Sequence, residues 1–194
     1  MPGIGLVLPT GKFHSKENGT SSTQEPGLQL GRGNVGLIGS LYQVYELIPH
    51  VLNQFASFSY RHTFRNGNGY QFGDQYLLSA GLNFQALDWL VLTGQLNWRY
   101  LVHDNFSGSL KQLLPTGAAV VLDPAIKDRR VPTTGSTTLM FSPGVTVQNL
   151  PFLPQTAVYF NAQIPVVRDF NNNLAQGLSF VVGLTRNFQL FGGS

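Results

Sequence analysis

The chain has 194 residues, of which 42% are hydrophobic, 12% aromatic and only 11% charged, with 12 Lys+Arg against 9 Asp+Glu for a net charge of +3. A soluble domain is typically about 25% charged, so a water-covered globule of this length would lack half its usual charge; 22 glycines and 11 prolines argue against a helical bundle. No window of about 18 apolar residues offers a transmembrane helix, the absence of cysteine removes disulfides and thiolate chemistry, and scattered basic residues form no nucleic-acid-binding run.

In chain order, 3–9 reads as a short first strand, and 33–46 as a weakly alternating second one. Over 52–64, Leu52, Gln54, Ala56, Phe58, Tyr60, His62 and Phe64 alternate with Asn53, Phe55, Ser57, Ser59, Arg61 and Thr63. Over 75–86, Tyr76, Leu78, Ala80, Leu82, Phe84 and Ala86 alternate with Gln75, Leu77, Ser79, Gly81, Asn83 and Gln85. Over 90–103, Leu90, Leu92, Gly94, Leu96, Trp98, Tyr100 and Val102 alternate with Val91, Thr93, Gln95, Asn97, Arg99, Leu101 and His103. The stretch 134–148 is weaker; 155–167 and 177–190 repeat the pattern, with Phe160 and Phe180 in the apolar set and Tyr159, Asn161 and Gln163 in the polar one. Period two sustained over ten or more residues is the signature of a two-faced strand.

Length chooses the solvent. Strands of globular proteins run about 5–6 residues, whereas a tilted strand needs about 9–11 to cross a bilayer. Short turns at 47–50, 87–88 and 149–154 alternate with long loops at 10–32, 65–73, 104–133 and 168–175, the pattern of an outer-membrane barrel with its long loops outside the cell. The expectation is an all-β, antiparallel up-and-down transmembrane β-barrel with eight strands in this chain, a single domain over 1–191. Tyr60, Phe64, Tyr76, Trp98 and Tyr100 near the long loops, and Phe84, Trp89, Phe152 and Phe188 near the short turns, suit two interfacial girdles.

On that reading Phe58, Tyr60, Leu82, Phe84, Leu96, Trp98, Phe160 and Phe180 face lipid. Arg61, Asn83, Gln95, Asn97, Arg99, His103, Tyr159, Asn161 and Gln163 line the lumen. Arg61 and Arg99 either make the interior cationic, favouring anionic or polar aromatic solutes, or simply hydrogen-bond neighbouring amides. His103 and Asp104 with Ser107 and Ser109 are the types a hydrolase uses, but neighbouring strand residues point to opposite faces, so no catalytic residue and no enzyme are expected. His14, His50, His62 and His103 lack metal-ligand spacing, and Asp104, Asp123 and Asp128 fit no calcium loop; no metal and no cofactor are expected. Gly31-Arg32-Gly33 and Gly67-Asn68-Gly69 read as turns. The apolar segment 117–122 reads as an inward plug or a short rim hairpin.

Three stretches carry a resemblance: Gly5-Leu6-Val7-Leu8-Pro9-Thr10-Gly11, Leu28-Gln29-Leu30-Gly31-Arg32-Gly33-Asn34 and Tyr70-Gln71-Phe72-Gly73-Asp74. They are similar to the "LPTG", "LQPGTGS" and "YRFGD" segments of the outer-membrane β-barrel transporter family assigned to the meta pathway of phenol degradation. The resemblance implies a barrel passing hydrophobic or aromatic compounds, with no catalytic residue to carry over. Family members place a signal peptide and several strands before the LPTG segment, so the chain resembles the C-terminal part of such a barrel, or a shortened relative. Met1-Pro2-Gly3-Ile4 has no signal-peptide character, the alternation up to Phe188 or Phe191 resembles the terminal strand read by outer-membrane assembly machinery, and Gly192-Gly193-Ser194 reads as a linker scar.

The expected function is therefore a porin-like channel for small hydrophobic or aromatic solutes in the outer membrane of a Gram-negative bacterium. Its expected partners are membrane lipid, lipopolysaccharide, the solute and the assembly machinery, with no nucleic acid. The alternatives are a closed eight-stranded barrel serving as anchor or adhesion scaffold, whose interior is just filled by side chains, and a soluble lipocalin-like binder.

Overall fold

The computed structural model describes residues 1–13, 30–67, 69–107, 111–113, 119–121, 130–131, 133–150, 153–171 and 174–186. Among them there is no helix, and none long and apolar enough to cross a membrane. The strands are β1 (Pro2–Val7), β2 (Gly36–Ile48), β3 (Leu52–Thr63), β4 (Tyr70–Gln71), β5 (Gln75–Leu87), β6 (Leu90–Leu101), β7 (Asn105–Phe106), β8 (Lys111–Leu113), β9 (Ala119–Val121), β10 (Ser136–Leu150), β11 (Leu153–Asp169) and β12 (Ser179–Arg186).

Eight of these strands form one antiparallel sheet in the order β1-β2-β3-β5-β6-β10-β11-β12. Each long segment of period-two alternation is one strand of it. Strands adjacent in the sheet follow one another along the chain, as an up-and-down meander requires. The ends of the order, β1 and β12, do not pair, so the sheet is open where a closed barrel is expected from the sequence. β1 pairs with β2 only over Gly36–Leu41.

The short connections turn tightly. Pro49–Val51 joins β2 to β3, with His50 in the left-handed region at φ 59°. Asp88-Trp89 joins β5 to β6. At the opposite end the long connections carry structure of their own. β4 pairs with β7, Asn105 bridges to Arg130, and β8 pairs with β9 through Lys111↔Val121, so the described part of 117–122, Ala119–Val121, is one strand of a short antiparallel pair.

One boundary needs correction. The sequence pattern ends the seventh long strand at Val167 and starts a loop at Arg168, but β11 continues through Asp169. The ladder slips at this point: Met140 pairs with Pro165 and Leu139 with Val167, leaving Val166 as an extra residue. A bulge of this kind shifts the phase of every residue beyond it. Proline cannot donate to a ladder and sits at bulges or edges, so Pro165 was its local signal.

Candidate functional site

Register fixes which side chains share a face. Asn53↔Asn83, Asn83↔Thr93, Ser79↔Asn97, Asn97↔Met140, Gly144↔Asn161 and Thr146↔Tyr159 lie on one side, together with Arg61, Gln95, Arg99 and Gln163. Phe58↔Leu78, Tyr60↔Tyr76, Leu82↔Gly94, Phe84↔Leu92, Leu78↔Trp98, Leu96↔Phe141, Phe160↔Val182 and Ala162↔Phe180 lie on the other. The polar and apolar sets read from the sequence are thus two faces of one sheet. His103 lies beyond β6.

The polar face is the enclosed one. Thr138 and Ser142 keep 3% and 4% of their surface, whereas Phe58, Leu82, Leu96 and Phe160 keep 41–50%. In β3, β5, β6 and β10 only Leu77 and Arg99 are exposed on the polar side, among the residues whose burial is described. Small hydroxyls and amides pair across strands to satisfy one another there. Asn83 donates to Asn53 at 3.0 Å and accepts from Thr93 at 2.8 Å. Asn97 accepts from Ser79 at 2.8 Å and from Gln95 at 2.5 Å, and donates to Ser142 at 2.9 Å. Ser179 donates to Gln163 at 3.0 Å. Glycines make room for large neighbours: a Cβ on Gly183 would strike the Tyr159 ring, and one on Gly144 the Asn161 amide.

Across the apolar face, near the long connections, runs an aromatic band. Tyr60 and Tyr76 have centroids 4.9 Å apart, Tyr76 and Tyr100 6.0 Å, and Trp98 stacks on Tyr100 at 6.0 Å. Asp74 ties the band down, accepting from Tyr60 Oη at 2.7 Å and lying 2.8 Å from His62 Nδ1.

The long connections also build a cap that period-two reasoning does not reveal. Tyr70, Phe72 and Phe106 are buried together with Val131 packed on them, and apart from Met140 they are the buried hydrophobic residues among those described. Asp104 accepts from Tyr70 Oη at 2.5 Å and from the Gly73 amide at 2.7 Å. Asn34 donates to the carbonyls of Phe64 (2.5 Å) and Tyr70 (3.2 Å), and Arg32 stacks over Phe72 at 4.6 Å. Thr63, on the polar face, donates to the Phe72 carbonyl, which places the cap over the end of that face. A Cβ on Gly73 would collide with the Val102 carbonyl, and Gly11 and Gly31 meet backbone to backbone. The described residues of the three motifs that carry the family resemblance therefore converge on one end of the sheet.

The hydroxyl-histidine-carboxylate set is not assembled from His103, Asp104 and Ser107. Asp104 serves Tyr70 and Gly73, His103 lies 3.4 Å from the Val131 carbonyl and 3.5 Å from Asn171 Nδ2, and Ser107 receives Arg65. Ser109, Asp123, Asp128, His14, Phe152 and Phe188 lie outside the described residues. Among the described residues no three His, Asp or Glu side chains cluster as a metal site.

The side chain that sequence reasoning missed is Arg168. The bulge at Val166 sets it opposite Thr138, which itself lies opposite Arg99 on the polar face.

Compared with family models and with curated proteins, the chain matches none. The family resemblance rests on its three motifs.

Proposed function

We propose that the chain forms a transmembrane β-barrel of a bacterial outer membrane, or the larger part of one, and that it passes small hydrophobic or aromatic solutes. The observation that carries this reading is the inverted polarity of the sheet: amides and hydroxyls inside, large apolar side chains outside. Every strand of the eight-stranded sheet contributes to the outer layer, through Ile4, Leu41, Phe58, Leu82, Leu96, Phe141, Phe160 and Phe180, all exposed. Leaving half of a Leu or Phe side chain in water forfeits about 0.8–1.5 kcal/mol. Summed over these eight side chains, that matches the whole stability of a typical domain, about 5–15 kcal/mol. Acyl chains remove the penalty. A soluble lipocalin-like binder would need the two faces exchanged.

The aromatic band from Trp98 to Tyr60 is where an interfacial girdle belongs. The family resemblance supplies the solute class, apolar or aromatic. A closed eight-stranded anchor without transport is favoured by one observation, the hydrogen-bonded rows on the inner face, since an eight-stranded interior is filled by its side chains.

Two experiments test the proposal. A folded barrel requires detergent and changes its gel mobility on heating; a chain that is soluble and monomeric without detergent overturns the membrane reading. Liposomes carrying the folded chain should leak a neutral aromatic alcohol faster than empty ones, and an inserted chain that leaves the rate unchanged favours the anchor.

A further inference from the structure

Three arginines occupy two adjacent rows of the polar face at its capped end. Arg61 belongs to the row Arg61-Gln75-Leu101-Ser136, and the next row inward is Leu77-Arg99-Thr138-Arg168. Arg99 and Arg168 lie two strands apart, about 10 Å between backbones from the usual strand spacing, with the buried Thr138 between them. Two guanidinium groups on six-ångström-scale stems can close on one small anion across that gap.

None of the three has a carboxylate or hydrogen-bond partner among the described residues, and the Arg61 Nε is buried with nothing bound to it. The described carboxylates are engaged or placed elsewhere. Asp74 serves Tyr60 and His62, and Asp104 serves Tyr70 and Gly73. Asp169 pairs with Thr137 on the apolar face, Glu46 lies near the opposite end of the polar face beside Asn53, and Asp88 sits in a short turn. Arg61 is part-buried while Arg99 and Arg168 are open to an incoming solute; an enclosed charge calls for a counter-charge, and the fork of an arginine matches a carboxylate. Apolar surface adjoins the cations: Leu77 is exposed in the same row as Arg99.

We infer that Arg61, Arg99 and Arg168 form a binding station for the carboxylate of a small apolar acid, whose hydrocarbon or aromatic body rests against Leu77. The inference rests on the channel reading for its setting, and names the solute class of that face. The bulge at Val166 is what makes the station: in uninterrupted alternation Arg168 would share the outer face with Phe160 and Ile164.

Detergent-folded full-length chain is titrated with para-fluorobenzoate and with its neutral analogue para-fluorobenzyl alcohol, observed by fluorine NMR. The acid should bind about tenfold tighter than the alcohol, as charge-assisted forked bonds outweigh neutral ones. Arg99→Gln and Arg168→Gln should each remove most of that preference, Arg168→Lys should restore part of it, and Arg186→Gln, at the far end, should leave it intact; heat-modifiable mobility checks that each variant is folded. Equal binding of the two probes, no binding of either, or a preference unaffected by both glutamine variants overturns the inference. Liposome leakage of the alcohol reads the channel separately: leakage without acid preference overturns the station and keeps the channel, and acid preference without leakage does the reverse.

Discussion

The cap and the wall of this protein are made of the same materials arranged oppositely. In the cap, Tyr70, Phe72 and Phe106 are inside, while the guanidinium of Arg32 stacks over one of them. In the wall, Tyr60, Tyr76, Tyr100 and Trp98 lie on the outer face, and Asn83, Asn97 and Ser142 are tied together on the inner one. The cap is built like a miniature soluble core, and the wall, on the membrane reading proposed above, like a surface made for hydrocarbon.

The sharpest way to break the comparison is to put a charge on the wall's outer face. Leu96→Arg should destabilise the inserted protein by about 2–4 kcal/mol, the cost of arginine at mid-bilayer, measured by denaturant unfolding in lipid vesicles. A negligible effect would mean that the face meets water. In the cap, Asp104→Asn weakens two charge-assisted hydrogen bonds and should cost about 1.5–3 kcal/mol. That loss should open the 102–107 connection to protease while the wall keeps its folded gel mobility, which separates the two regions. On the inner face, Asn97→Ala removes a three-way hydrogen-bond junction, yet water can replace the amide. The expected loss is about 1 kcal/mol, smaller than in the cap, and unfolding midpoints of the two variants test the ranking. The smallest effect belongs to the turn. His50→Gly relieves a left-handed non-glycine residue and should raise stability by up to about 1 kcal/mol, visible as a slower unfolding rate.

The wall was legible in the sequence because its information is local. Alternate side chains on a strand point to alternate faces, so Leu78, Ala80, Leu82 and Phe84 announce β5 by themselves, and the hairpin turns follow from the gaps between such runs. The cap was not legible, because Tyr70 comes from one connection and Phe106 and Val131 from another, and the three have no common period. Its one trace was the motif Tyr70-Gln71-Phe72-Gly73-Asp74, which resemblance noticed and periodicity could not explain. The structure gives each part a reason: two buried rings, a glycine pressed against the Val102 carbonyl and a carboxylate holding Tyr60 and His62. Arg168 escaped for a third reason, since a single inserted residue changes which neighbours count as alternate, and only the ladder reveals the insertion.

That inserted residue gives β11 two phases. Below Val166 the odd-numbered side chains turn inward with Asn161 and Gln163; above it the even-numbered one does, while Asp169 takes the outward position. Were the bulge drawn out and Val166 taken into the ladder, every residue beyond it would move one place along, and an arginine and an aspartate would exchange outlooks, reversing the sign of charge shown to the interior at that height. A strand that can trade cation for anion by one step of register is an economical place for solute preference to change.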